Sequence, residues 1–250
     1  SQLMTGAPVS LEDFTQNANT SVAVSDLANN VVYFGTWTSP GMIIKVDMTT
    51  KLVKHVIKLN ANENHIKTLV HDDENGFLYA ATFTNPPFII KIRTADFLRV
   101  DSFLASGVKS ISSGIYDARR DAVLFATYSS PSMIVQMSTG NFGRFDRSRT
   151  LNKGQDNAYS LLYDDSSNML LVGTFTFPGR VVRVEASDLS VKDEIVIPSL
   201  SYASAAALDP VNRRALYGSW EGGKVVEVHL DTFRKGSTID LAGATHVYDV

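Results

Sequence analysis

Cysteine is missing from this chain of 250 residues. That excludes disulfides, thiolate nucleophiles and cysteine-held metals. No run of about 18 apolar residues occurs, so no segment is expected to cross a bilayer as a helix. No secretory leader is visible, and the chain starts with Ser1 where a Met would stand, as a processed or cut N-terminus would. Charge of one sign is not in excess: 23 Lys+Arg face 26 Asp+Glu, for a net charge of -3. A basic face for nucleic acid or an anionic membrane is therefore not expected. A helical period is missing over any window of about 10 residues. Nucleophile elbows, phosphate loops and paired-carboxylate motifs are missing too, and neither cofactor nor metal is expected.

What the chain does have is self-similarity. Five segments align: YFGTWTSPGMIIKV at 33–46, YAATFTNPPFIIKI at 79–92, LFATYSSPSMIVQM at 124–137, LVGTFTFPGRVVRV at 171–184 and LYGSWEGGKVVEV at 216–228. Their hydroxyl residues, Thr36, Thr82, Thr127, Thr174 and Ser219, recur at steps of 46, 45, 47 and 45. Ten residues before each stands an aspartate: Asp26, Asp72, Asp117, Asp164 and Asp209. Each unit reads as four short strands punctuated by turn residues. This is the size of a propeller blade, whereas an open β-solenoid normally has a shorter repeat. The expected fold is all-β, a β-propeller of four-stranded antiparallel blades in one domain. Its full repeats span about 20–65, 66–110, 111–157, 158–202 and 203–243.

The ends, 1–19 and 244–250, are expected to share a partial blade. Val9–Phe14 would supply a fourth strand and Thr245–Asp249 a first. Six units would need about 26 residues more than are present. The chain is thus a piece of a longer repeat protein, or its sixth blade is completed otherwise, by self-association for example. A five-bladed ring with two tails is the alternative.

The repeated residues have physical reasons. An Asp at the first hairpin can accept N–H bonds from its turn, and Asn30, Gly76, Asp121, Asn168 and Arg213 four residues on stand where left-handed geometry is expected. Gly35, Ala81, Ala126, Gly173 and Gly218 are small enough for a neighbouring blade to approach. Two positions on, Trp37, Phe83, Tyr128, Phe175 and Trp220 are expected as buried inter-blade packing, with an aromatic binding platform as the functional reading. The marker hydroxyls are expected to bond backbone. Pro40, Pro86, Pro131 and Pro178 break the following loop. Third strands are apolar on both faces, and the polar residue after each pair (Lys45, Lys91, Gln136, Arg183, Glu227) is expected to snorkel to solvent.

The pattern best carried by Y33FGTWTSPGMIIKVD47 resembles tandem repeats of large surface or secreted propeller proteins of protists and bacteria. More distantly it is similar to NHL and YVTN-type propellers. The resemblance covers 21–243. It implies a recognition or structural scaffold, extracellular or at the cell surface, that binds a protein or glycan partner.

Candidate contact residues follow the two-to-three loops: Met42, Phe88 and Met133 as an apolar arc if exposed, or as core tucked beneath the loops if not, flanked by Arg180 and Lys224 at the same place. The alternative is a propeller lyase or hydrolase with a site at the central channel mouth. For that reading His65 and His71 are the candidates, with Asp73 as a possible third metal ligand, although their spacing matches no ligand motif.

Overall fold

The computed structural model describes residues 19–247. Among the described residues all regular structure is strand, apart from two single 3-10 turns. The first sheet holds β1 (Thr20–Asp26), β2 (Val31–Thr36), β3 (Met42–Asp47) and β4 (Val53–Lys58). The second holds β5 (Ile66–Asp72), β6 (Phe77–Thr82), β7 (Phe88–Arg93) and β8 (Leu98–Leu104). The third holds β9 (Ile111–Asp117), β10 (Ala122–Thr127), β11 (Met133–Ser138) and β12 (Arg147–Thr150). The fourth holds β13 (Ala158–Asp164), β14 (Met169–Thr174), β15 (Gly179–Glu185) and β16 (Val191–Ile197). The fifth holds β17 (Ala203–Asp209), β18 (Arg214–Ser219), β19 (Lys224–His229) and β20 (Arg234–Asp240). Strand order within every sheet follows the chain. These are the four-stranded antiparallel blades that the repeat predicts.

The described residues form two compact units. One runs to Val123 and takes in Met137–Arg144; the other comprises Leu124–Gln136 and everything from Phe145. In the first unit the core gathers Tyr33, Ile43, Ile57, Ile66, Leu78, Ile90 and Phe97. In the second it gathers Leu171, Val181, Ile197, Leu200, Tyr217, Val226 and Phe233. The paired apolar residues of the third strands, such as Ile43–Ile44 and Val181–Val182, are fully buried, as expected of a strand covered on both faces.

The first-hairpin aspartates act as turn caps. Asp26 accepts the Asn29 N–H at 3.0 Å, Asp72 that of Asn75 at 2.9 Å and Asp209 that of Asn212 at 3.1 Å. Asn30, Gly76, Asp121, Asn168 and Arg213 all take positive φ, from 47° to 70°. These turns also tie one repeat to the next. His71 Nε2 lies 3.6 Å from Asp26 Oδ2, Asn75 donates to Asp121 at 2.7 Å, and Arg213 grips Asp164 through two nitrogens at 2.8 and 2.9 Å.

The marker hydroxyls bond backbone as expected. Thr36, Thr82, Thr127 and Thr174 accept the N–H of Met42, Phe88, Met133 and Arg180 at 2.8–3.0 Å. A second hydroxyl, on Thr38, Thr84, Ser129 or Thr176, bonds the marker and donates to the carbonyl of the loop proline. All four of these prolines follow cis peptide bonds. In the fifth repeat Ser219 instead donates to the Ser201 carbonyl at 2.9 Å.

The small residues of strand two fulfil their expected purpose. A Cβ on Gly35 would lie 2.7 Å from Ile66 of the next first strand. On Gly218 it would lie 2.5 Å from Val247. Ser21 donates to the Ile66 carbonyl, and Ser204 donates to that of Val247 at 2.6 Å. Val247 therefore stands against Gly218 and Ser204 as Ile66 stands against Gly35 and Ser21, with Thr245 and His246 in the loop that precedes it. Val9–Phe14, Tyr248 and Asp249 lie outside the described residues.

One expectation is corrected here. Lys45 and Lys91 do not snorkel to solvent. They donate to the carbonyls of Thr94 at 3.0 Å and Thr139 at 3.3 Å in the following repeat. Lys91 Nζ sits 3.9 Å above the Phe77 ring. A desolvated ammonium needs acceptors, and a neighbouring repeat's carbonyl is closer than bulk water. Burial draws both amines below the usual lysine range.

Candidate functional site

The aromatic repeated at the end of strand two is not buried core. Trp37 is 36% exposed, and Phe83, Tyr128, Phe175 and Trp220 are half-buried. The reason lies in the register. Thr36, Thr174 and Ser219 are the last paired residues of their strands, so the ring one step on leaves the interface between sheets and lies over its rim. Its N–H is held by the residue that precedes the first strand of its own sheet. Trp37 bonds the Asn19 carbonyl at 2.8 Å, Phe83 that of His65 at 2.8 Å, Phe175 that of Asn157 at 2.7 Å and Trp220 that of Tyr202 at 3.0 Å.

At this rim the rings form contacts within each unit. In the first unit Trp37 stacks on His65, centroids 4.7 Å apart and 19° between planes, and meets Phe83 at 5.5 Å. In the second unit the contacts run through six rings. Tyr128 meets Tyr159 edge-on at 6.1 Å, Tyr159 meets Phe175 at 4.9 Å, and Phe175 meets Tyr202 at 4.8 Å and Trp220 at 5.8 Å. Trp220 meets His246 at 5.4 Å. Phe177, in the loop after β14, adds a ring that is 66% exposed. Burial raises the Tyr128 phenol above its ordinary range, and the neighbouring phenols of Tyr159 and Tyr202 raise it further.

Sequence reasoning missed Tyr159, Tyr202 and His246. Tyr159 occupies a β-bulge between Ala158 and Ser160, and bulges re-aim side chains. At the equivalent bulges stand Ser21, Lys67 and Ser204, so residue type gave no repeated signal. Tyr202 has a φ of 56°, a strained geometry at a place that other repeats fill with His65 or Asn157.

The candidates from the sequence fall elsewhere. Met42, Phe88, Met133 and Lys224 begin third strands and Arg180 is the second residue of its own; each faces its fourth strand, and all are half-buried. Met42 packs against Ile44, Val46 and Val56, and Phe88 leans on the first unit's core. Arg180 pairs with Glu194 at 2.8 Å, and Lys224 stands 3.9 Å from Asp240.

His65 and His71 are not brought together. They stand at opposite ends of β5, about 20 Å apart at strand rise. His71 is nearly buried against Asp26 and lies 5.9 Å from the Tyr33 ring. Among the described residues no three His, Asp or Glu side chains converge as a metal site would require.

No family model and no curated protein sequence matches the chain. Solved structures do. A chain of the mitotic checkpoint complex superposes with a TM-score of 0.76 at 7% identity, over 94% of this chain and 68% of its own length. The WD40 repeats of RRP9 give 0.71 at 11%, over 96% and 66%. A chain of a nidogen/laminin complex gives 0.66 at 14%, over 88% and 80%. The fold is a β-propeller. At these identities the likeness establishes fold and nothing finer. No helix among the described residues is long and apolar enough to cross a membrane.

Proposed function

We propose that this chain is a recognition module that binds a protein partner through the half-exposed aromatic row of its second unit. The observation that carries this reading is the contact chain from Tyr128 through Tyr159, Phe175, Tyr202 and Trp220 to His246. The rings pack against one another, so a ligand must lie on them and cannot enter between them. That suits a macromolecular surface. Tyr and Trp are also the residues that dominate protein interfaces, because they cover much area with few rotamers. Two of the matched structures are of protein complexes, which agrees with this reading.

Within the second unit Met133, Arg180 and Lys224 stand at the same end of their sheets and would add apolar and charged contacts at its margin, and within the first unit Met42 and Phe88 would do the same beside Trp37 and Phe83. A glycan laid on the rings is the second occupant this chemistry allows. The extracellular or cell-surface setting and the NHL/YVTN-like character rest on the repeat's resemblance alone.

The test is a photo-crosslinking residue in place of Tyr202, with the same residue at Val211, which is 88% exposed on a hairpin turn, as control. In native extract the Tyr202 position is expected to give a discrete protein adduct that Val211 does not. Identical adducts at both positions would contradict the assignment. An adduct removed by glycosidase would replace protein with glycan.

A further inference from the structure

The outer strand of the third sheet departs from the other outer strands. β12 (Arg147–Thr150) is exposed at all four residues, whereas β4, β8, β16 and β20 each bury or half-bury at least two. It stands at the edge of its sheet, next to β11. The register pairs Thr150 with Met133 and Arg147 with Gln136, all within the second unit. The Leu151 N–H bonds the Ser132 carbonyl at 2.8 Å. In an antiparallel pair the hydrogen-bonded positions alternate along the strand. Arg147, Arg149 and Leu151 therefore turn their backbone groups to β11, and Ser148 and Thr150 turn theirs outward.

Charge marks the same strand. Arg147 and Arg149 are two residues apart, so their side chains share one face. The Arg147 guanidinium bonds the Ser187 carbonyl, a neutral acceptor, and among the described residues neither arginine has a carboxylate partner. Elsewhere the outer strands balance their cations. β8, β16 and β20 each carry an acid beside a base, and Lys54 of β4 is paired with Asp47 at 2.7 Å. Charge on an edge strand turns away strands that cannot match it. A second copy of β12 laid antiparallel on its outward groups would set arginine opposite arginine, which is unfavourable. A strand that brings carboxylates is the one this edge favours.

We propose that β12 is a strand-addition site for an extended acidic segment of a partner protein. The segment's backbone bonds the outward groups of Ser148 and Thr150, and its carboxylates stand opposite Arg147 and Arg149. Acids at every second residue place both carboxylates on the arginine face. The site does not depend on the aromatic row, none of whose rings lies on β12.

The probe is an eight-residue peptide alternating glutamate with valine and blocked at both ends. Added to the labelled full chain, it is expected to bind saturably and to slow hydrogen exchange at the Ser148 and Thr150 amides. Binding should weaken as salt is raised. The same peptide N-methylated at each backbone amide, or carrying lysine for glutamate, is expected to show no saturable binding. Arg147→Gln with Arg149→Gln should weaken binding about three- to tenfold, the worth of two exposed cross-strand ion pairs. Ser148→Pro removes an outward N–H that the sheet's own ladder does not use. It should abolish binding while the melting temperature stays within a few degrees of the parent. Lys109→Gln, at an exposed lysine of the first unit, should leave affinity unchanged. No saturable binding, equal binding of the N-methylated or lysine peptide, or unchanged affinity in the double arginine variant would overturn the proposal.

Discussion

Arg213 occupies a turn position that favours Asn or Gly, with a φ of 52°. The strain is offset by a two-nitrogen grip on Asp164 of the preceding repeat and a bond to Asp231 at 2.9 Å. Burial alone would raise the Asp164 carboxyl, but Arg213 together with Ser167 and Ser166 outweighs it and holds the group well below the usual carboxylate range. A carboxyl depressed in the folded state contributes stability that is present above its unfolded value, about pH 4, and is lost as pH falls through the folded one. Arg213→Met is therefore expected to cost about 2–3 kcal/mol at neutral pH. The difference from the parent should shrink progressively below about pH 4. Denaturant melts at pH 7 and pH 3 check this, and a gap independent of pH would contradict it.

The rim aromatics show where residue-level reading stops. That an aromatic recurs after each marker hydroxyl is plain in the sequence. Whether it is core depends on whether strand two is still paired at that residue, and Trp37, Phe175 and Trp220 fall one step beyond the last pair. Tyr159 and Tyr202 have no equivalent of the same type in other repeats, and His246 is matched with His65 only once Val247 is seen against Gly218, so sequence periodicity passed over half of the candidate site.

At the scale of elements the reading was more complete, because packing between sheets repeats what packing within a sheet dictates. Strand two carries Gly, Ala or a marker hydroxyl where the next first strand crosses, and both faces of strand three are apolar because both are covered. The bulge at the start of the first strands was not legible: it is an event of pairing register that leaves no composition signal. The close approach at Gly35 gives a direct test. An added Cβ would sit 2.7 Å from Ile66 Cγ2 and 2.8 Å from Val22 Cγ1, and neither branched side chain can swing aside inside a packed core. Gly35→Ala is expected to destabilise by about 1–3 kcal/mol, the cost of overpacking. Gly107→Ala has open space around it but a φ of +86°, so its smaller loss of about 1 kcal/mol reflects backbone strain alone. Thermal melts of the two variants separate these causes, and equal losses would contradict the packing account.

At the scale of the whole molecule, five sheets of one design present chemically different rims. Turn caps, marker hydroxyls and apolar third strands are alike in successive repeats because they hold the fold. Differences collect at the strand-two end and at the starts of first strands, where Lys67, Tyr159 and Tyr202 stand at places that other repeats fill with other residue types. Function on a repeat scaffold is expected where repeats diverge at exposed, rigidly held positions. The most direct measurement is a single variant, Phe177→Ser with Tyr202→Ser and Trp220→Ser, examined for both its melting temperature and the proteins it retains from native extract. Because these rings lie at the rim, the melt is expected to fall by no more than a few degrees, as for partly exposed positions, while the partners bound by the parent are lost. A collapsed melt, or an unchanged set of bound proteins at an intact melt, would contradict the assignment of the aromatic row as the recognition surface.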